Sequence, residues 1–176
     1  MTSETPTIID IEASAFGAGS YPIEVGLALP NGATRCFLIR PESDWTRWDP
    51  SSEAAHGISR ELLAQRGLPV AAIAGSLNHI LADTTVHSDA WGFDSSWLGL
   101  LYHHADMSPS FRIEALPALL SEAQTQIWHP VKQEVIKEMA IRRHRASSDA
   151  LIIQRTYLRT LERVQPLRSR TRRSTM

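Results

Sequence analysis

The sequence predicts one α/β domain with a mixed five-stranded sheet and helices on both faces of that sheet. Residues 7–13 are mostly apolar and rich in isoleucine, which is typical of a central strand buried on both faces. Pro30-Asn31-Gly32 is a hairpin turn signal, so the strands on either side of it should be antiparallel. After this hairpin, strand-like segments alternate with helical ones, and helical crossovers join parallel strands. A mixed sheet covered by helices accounts for all three observations.

The strands are predicted from short runs of β-branched and apolar residues that are bounded by turn residues. The expected strands are residues 7–13, 23–29, 34–40, 84–88 and 111–115. Residues 41–50, which hold two tryptophans, are expected to be irregular.

The helices are predicted from apolar residues at helical spacing and from residues that begin or end helices. Pro69 suits the start of the helix at 70–81, and Gly67 ends the helix before it. The expected helices are residues 51–56, 59–65, 70–81, 94–104, 117–123 and 130–142, with a last helix that begins near Ser147.

The composition is that of an ordinary globular protein of 176 residues, a length that fits one domain. The single cysteine, Cys36, excludes an internal disulfide and a cysteine zinc cluster. The polar start shows no signal peptide, and no apolar run approaches the length of a membrane span. We therefore expect a cytoplasmic protein without a membrane partner. Its expected parts are a disordered start at 1–6, a domain at 7–165 and a flexible basic tail at 166–176.

The net charge of −1 conceals an uneven distribution of charge along the chain. Residues 141–176 hold ten arginines against Asp149 and Glu162, so the rest of the chain is acidic. A basic end on an acidic body suits a polyanionic partner such as nucleic acid. A solvated helix face followed by a disordered tail would produce the same pattern, and the charge alone does not separate the two interpretations.

Asp10 and Glu12 are two carboxylates inside the apolar strand at 7–13. A spacing of two residues places both side chains on one face of a strand. There they repel one another and lose hydration. A divalent cation with oxygen ligands would offset that cost. The alternative is a strand end at which both carboxylates reach water.

Two further sites carry polar residues that fit the same chemistry. His144 and Asp149 would point about 140° apart on one helix, so they converge only if His144 precedes the helix. Ser147 or Ser148 is a suitable N-cap, which places Asp149 in the first turn. Asp94 follows a predicted strand and begins a predicted helix. Each of these features, taken alone, also fits an ordinary helix cap.

Taken together, these residues resemble the DEDDh exonucleases. This family of the ribonuclease H-like superfamily includes the proofreading subunit of DNA polymerase III and ribonuclease T. The resemblance lies in Asp-x-Glu on the first strand, an Asp after the fourth strand and His-x4-Asp at the last helix. It covers roughly residues 8–161, and His144-Arg145-Ala146 with Asp149 is its most specific part. His56-Gly57-Ile58 also resembles a loop that recurs in the family.

The sequence departs from the family pattern at two places. Ala13-Ser14-Ala15 stands where members often have Thr-Thr-Gly, and residues 87–92 stand where many have His-Asn-Ala before Phe-Asp. Neither change removes a catalytic carboxylate. Both lie where the family binds the terminal nucleotide, so the choice between DNA and RNA stays open.

The resemblance implies a ribonuclease H-like fold and a metal-dependent 3′–5′ exonuclease. Such an enzyme releases nucleoside 5′-monophosphates from single-stranded nucleic acid or short oligonucleotides by two-metal phosphodiester hydrolysis. The cofactors would be two divalent cations, Mg²⁺ or Mn²⁺, which stabilise the attacking and leaving oxygens. The implied metal ligands are Asp10, Glu12, Asp94 and Asp149.

By the same resemblance, Asp10 would bridge both cations, and His144 would be the general base, a role that suits histidine near neutral pH. The implied substrate-binding residues are Ser14, Phe16 and His56, of which Phe16 would stack on the terminal base or tuck into the core. The implied partner is a single-stranded 3′ end, and a homodimer is a further expectation from the family.

Two other classes of function remain open at this point. A catalytically silent nucleic-acid-binding module could keep the fold, but it would be expected to lose a carboxylate or the histidine. An unrelated metal-dependent phosphatase could use a similar fold. The presence of all five polar residues favours the exonuclease.

The basic tail leads to a first testable prediction. Removing residues 168–176 should weaken the binding of long substrates and flatten its salt dependence, because fewer counterions are released. Turnover of a dinucleotide, which cannot reach the tail, should barely change. The measurement is the Michaelis constant for long and short substrates at low and moderate salt. Equal losses on both lengths would show that the tail supports the fold instead.

Overall fold

The structure is a computed structural model, and it describes residues 5–165. The predicted tail at 166–176 and most of the predicted disordered start at 1–6 lie outside these residues. The strands are β1 (Thr7–Ala13), β2 (Pro22–Ala28), β3 (Thr34–Leu38), β4 (Thr85–Ser88) and β5 (Arg112–Ala115). The α-helices are α1 (Pro50–His56), α2 (Arg60–Arg66), α3 (Val70–Leu81), α4 (Trp91–His104), α5 (Glu122–Met139) and α6 (Ala146–Val164).

The five strands form one mixed sheet in the order β3-β2-β1-β4-β5. β2 is antiparallel to both β1 and β3, whereas β4 is parallel to both β1 and β5. The hairpin and the helical crossovers therefore produce the pairing directions predicted from the sequence, and the predicted fold class is confirmed. β1 occupies the centre of the sheet, which explains why it has apolar side chains that are buried on both of its faces.

The two faces of the sheet carry separate apolar layers. Ile9 and Ile11 of β1 belong to the larger core, which includes buried residues of α3 and α4. Ile8 belongs to a smaller core that it shares with α6. Because strand side chains alternate, Asp10 and Glu12 share the face of Ile8 and lie on the α6 side of the sheet. None of the helices in residues 5–165 is long and apolar enough to cross a bilayer.

Helix α6 lies close against β2 because small residues of that strand face it. A Cβ atom at Gly26 would collide with backbone atoms of Ala146 and Ser147 at the start of α6. Ala28, two residues along on the same face, shares a core with Ala150 of α6. These small side chains fix how near the amino end of the helix lies to the sheet.

Helix α4 begins at Trp91, earlier than the predicted start at residue 94. The N-cap position belongs to Ala90, which makes no side-chain cap, so Asp94 is not the cap. Asp94 lies instead in the first turn, where it is almost fully buried. The start of this helix was predicted too late because Gly92 is a poor helix former.

One long helix, α5, stands where two helices were predicted at 117–123 and 130–142. Residues Leu116–Leu119 form only a short 3-10 helix, and α5 begins after a capping box between Ser121 and Gln124. Pro130, which indicated a helix start in the sequence, lies inside α5. The prediction of two helices is therefore wrong at this place.

Packing offsets the cost of a proline inside α5, which is about 3 kcal/mol in general. Val131 and Val135 are buried beside Ile152 of α6 and form a third apolar cluster. The helix ends at Met139, before the predicted end at residue 142, because the left-handed backbone of Ala140 (φ 48°) turns the chain away.

The close approach of α6 to β2 predicts the effect of a methyl group at residue 26. Gly26→Ala should lower the free energy of unfolding by about 2 kcal/mol or more, since the colliding atoms belong to the backbone and cannot rotate away. Gly99→Ala is the matched control, because an added Cβ in that turn of α4 meets nothing within 4 Å. The control should gain up to about 1 kcal/mol from helix propensity. Urea unfolding measures both, and an unchanged Gly26→Ala variant would contradict the close packing.

Candidate active site

Asp94 is positioned by the end of β4. Ser88, the last residue of that strand, donates its hydroxyl to Asp94 Oδ2 at 2.5 Å. The same Ser88 oxygen accepts the Ala90 N–H at 3.0 Å, which shapes the turn into α4. The first turn of α4 therefore directs the Asp94 carboxylate toward β1, where it hydrogen-bonds the backbone of Ile11.

His144 lies in the loop between α5 and α6, as its spacing from Asp149 requires. Its backbone is left-handed (φ 58°), and its side chain is exposed. Asp149 lies in the first turn of α6, where its Oδ2 accepts the His144 N–H at 3.1 Å. The turn before the helix thus brings the histidine and the carboxylate together.

The five residues predicted to be catalytic line a single cleft of about 270 Å³. β1 contributes Asp10 and Glu12, α4 contributes Asp94, and the start of α6 with its preceding loop contributes His144 and Asp149. Ligand atoms of Glu12, His144 and Asp149 lie within 4.8 Å of one another, a spacing that suits a metal ion. The carboxylate side of the cleft is assembled from three separate parts of the chain.

Burial and mutual repulsion disfavour the ionised acids. Burial raises the pKa of Asp10 well above its usual value, and the charges of Asp94 and Glu12 raise it further. Burial, then the charge of Asp149, raises the pKa of Glu12 to about 7. Burial also raises the pKa of Asp94 to about 7, against the lowering effect of the Ser88 hydrogen bond. A divalent cation would reverse these shifts, so this set of oxygen donors fits the implied metal.

The other side of the cleft is aromatic. The Phe16 and Phe93 rings meet edge to face with centroids 5.7 Å apart, and Phe93 stacks on Trp97 at 5.6 Å. Phe16 is 66% exposed and Phe93 is 51% exposed, so neither ring is tucked into the core. Of these three aromatic residues, only Phe16 was predicted from the sequence to bind substrate. Phe93 and Trp97 could have been found from their positions beside Asp94, at helical spacing from each other.

Arg47 holds the loop that carries Phe16. Its guanidinium donates to the backbone oxygens of Phe16 and Ala18. Gly17 and Gly19 in this loop have positive φ angles, a conformation that glycine adopts without strain.

His56 lies at the bottom of the cleft and is 2% exposed. Its Nδ1 accepts the Ile58 N–H at 3.0 Å, and burial lowers its pKa, so the neutral ring carries its proton on Nε2. Nε2 has no hydrogen-bond partner within residues 5–165. Ser14, in contrast, is fully buried, accepts the Tyr21 N–H and is not among the residues that line the cleft.

Glu24 is a buried carboxylate next to the cleft that was not predicted from the sequence. It lies on β2 opposite Glu12 and is fully buried. Arg145 donates to both of its oxygens, and the Ala146 N–H donates to Oε2 at 2.8 Å. Although burial alone would raise the pKa of Glu24, these hydrogen bonds and one from Cys36 hold it below its usual value. A lone carboxylate inside the apolar strand was the available signal, since such a group needs a buried cation.

Comparison with known proteins extends this description. No protein-family model and no curated protein matches the sequence. Among solved structures, exonuclease I of Methylocaldum szegediense matches with a TM-score of 0.69 and 14% identity over 92% of this chain and 41% of that one. The chain has the ribonuclease H-like fold. Another exonuclease I structure gives a TM-score of 0.70 at 14% identity over 93% of this chain and 42% of that one.

A third match is E. coli exonuclease I in complex with a dA16 oligonucleotide, at a TM-score of 0.66 and 14% identity. It covers 93% of this chain and 41% of that one. The chain therefore spans about two fifths of the length of these exonuclease I chains.

The raised pKa values predict how stability depends on pH when metal is removed by a chelator. Between the usual carboxyl pKa of about 4 and the folded value of about 7, folded Glu12 and Asp94 hold more protons than the unfolded chain does. The free energy of unfolding should therefore fall as pH rises from about 5.5 to about 8, by on the order of 2 kcal/mol.

Urea unfolding in chelator at the two pH values measures this dependence. The Asp10→Asn/Glu12→Gln/Asp94→Asn variant, which removes every acid with a raised pKa in the cleft, should lose most of it, whereas Glu162→Gln on an exposed part of α6 should keep it. Equal stability of the unmodified protein at both pH values would contradict the repulsion among these acids.

Proposed function

We propose that this chain is a metal-dependent 3′–5′ exonuclease that releases nucleoside 5′-monophosphates from single-stranded nucleic acid or short oligonucleotides. One observation carries the proposal: four carboxylates and a histidine from distant parts of the chain meet in one cleft of a ribonuclease H-like fold. Several of the exonuclease I structures with this fold are complexes with single-stranded DNA oligonucleotides, which supports the choice of substrate class.

The carboxylates Asp10, Glu12, Asp94 and Asp149 would hold two divalent cations, Mg²⁺ or Mn²⁺. When bound, these cations would stabilise the attacking and leaving oxygens of the phosphodiester. The donor set is all oxygen, which favours these hard ions. The carboxylates repel one another when they are ionised, and bound cations would relieve this repulsion. Raised pKa values of Asp10 and Glu12 are therefore expected for such a site.

His144 would accept the proton of the attacking water. Its side chain is exposed at the cleft, and its backbone is fixed on both sides. Arg142 donates to the His56 carbonyl at 3.3 Å, and Arg145 donates to Glu24. A base held in this way needs little rearrangement before it takes the proton.

The aromatic side of the cleft would receive the terminal base. Phe16 and Phe93 expose their rings beside the carboxylates, and stacking on an aromatic ring tolerates any base. The buried Nε2–H of His56 has no acceptor among residues 5–165, and it would donate to an oxygen of the terminal nucleotide. Because a duplex end keeps its bases stacked and paired, these contacts favour single strands.

The test is hydrolysis of matched 5′-labelled DNA and RNA oligonucleotides with Mg²⁺ or Mn²⁺. A ladder that shortens from the 3′ end is expected, and the faster of the two substrates identifies the preferred sugar. Binding without cleavage would indicate a silent nucleic-acid-binding module, and neither binding nor cleavage would reject the nuclease altogether.

Asp10→Asn should reduce cleavage by about a thousandfold or more, since it removes a carboxylate that both cations need. The same change should raise stability in chelator, because it relieves repulsion in the cleft. Asp44→Asn, on an exposed side chain outside the cleft, is the matched control and should keep full activity. An Asp10→Asn variant as active as the control would reject the assignment of the metal site.

A further inference from the structure

Arg143 forms an ion pair with one of the proposed metal ligands. Its Nε donates to Asp149 Oδ1 at 2.7 Å. The Asp149 side chain is 14% exposed, so the pair is partly shielded from water. The second Asp149 oxygen accepts the His144 N–H, and both oxygens are therefore engaged by the loop that precedes α6.

The same carboxylate belongs to the group that could hold a metal ion. Asp149, Glu12 and His144 offer ligand atoms within 4.8 Å of one another. A divalent cation and a guanidinium both bind the lone pairs of carboxylate oxygens, and like charges at such short range repel. A cation at Asp149 would therefore lie close to the positive charge of Arg143, and this repulsion weakens its binding.

The side chain of Lys132, which lines a cavity together with Arg143, provides a comparison. Asp10 and Asp149 also line a smaller cavity of about 120 Å³, whose other charged residues are Asp89, Lys132 and Arg143. Lys132 Nζ donates to Asp89 at 2.7 Å. Lys132 and Arg143 thus stand beside the same acids, but only Arg143 holds a proposed metal ligand.

We propose that Arg143 is a built-in counter-ion of the metal site, which competes with the divalent cation for Asp149 and thereby sets the affinity of the site. This inference rests on the proposed function, because it assumes that Asp149 binds metal. In the chain without metal, the guanidinium neutralises part of the acidic cluster and stabilises the fold. When the cation binds Asp149, the guanidinium leaves that carboxylate and its donors become free for an anionic ligand.

Metal binding itself, not catalysis, is the first readout. Titration of Mn²⁺ into the full chain by isothermal calorimetry should show roughly tenfold tighter binding for Arg143→Gln than for the unmodified protein. Lys132→Gln removes the same charge from the same cavity and should change the affinity about threefold or less, since its contact is Asp89. Arg143→Lys keeps the charge and should stay near the unmodified protein.

A double-variant cycle isolates the contact. Adding Arg143→Gln to an Asp149→Asn background should leave Mn²⁺ affinity almost unchanged, because the shared carboxylate is already gone.

Thermal unfolding provides the second readout. Arg143→Gln should melt at a lower temperature in chelator but gain more from saturating Mn²⁺ than the unmodified protein does.

The outcomes separate this inference from the proposed function. If the unmodified chain binds Mn²⁺ and Arg143→Gln binds it equally or more weakly, the competition is overturned while the nuclease assignment stands. If Arg143→Gln still tightens binding in the Asp149→Asn background, the effect is long-range charge, and the specific contact is likewise overturned. If the unmodified chain binds no Mn²⁺, the proposed metal site fails and the competition fails with it.

Discussion

Glu24 ties the sheet to the part of the chain that carries His144 and Asp149. Its carboxylate is fully buried, accepts from the Arg145 guanidinium and caps the first N–H of α6 at Ala146. Losing one partner of a buried ion pair costs about 3–5 kcal/mol in general, since the other charge stays buried alone. These contacts hold the start of α6 against β2, and the close packing of Gly26 against the same helix turn restricts its position further.

This attachment offsets an unfavourable property of the cleft, because buried carboxylates that lie close together lower the stability of the folded chain. The carboxylates of the cleft repel one another, and burial disfavours the ionised forms of Asp10, Glu12 and Asp94. The larger apolar core, which includes buried residues of α3 and α4, supports the helix that carries Asp94. Apolar packing on both faces of the sheet therefore supplies the stability that holds these like charges together.

The sequence predicted what local periodicity determines. Alternation along a strand put Asp10 and Glu12 on one face, and the five-residue spacing put His144 ahead of α6; both placements are observed. The features that were predicted wrongly or not at all depend on contacts between residues that are far apart in the chain. Pro130 is accepted inside α5 because α5 packs on α6, and Glu24 acquires its role from a residue far along the chain. Contacts of this kind produce no periodic pattern in the sequence from which they could be predicted.

The two sides of the cleft are attached to the fold in different ways. The carboxylates stand on β1, α4 and α6, whereas Phe16 stands on a glycine-containing loop held by the exposed side chain of Arg47. Substitutions at Phe16 or Arg47 would change this part of the aromatic side, whereas Phe93 stands on α4 together with Asp94. The Phe16 loop is thus a part of the cleft that can change in length and shape without moving a strand or helix that carries a carboxylate, so variation in the shape of the cleft can accumulate there first.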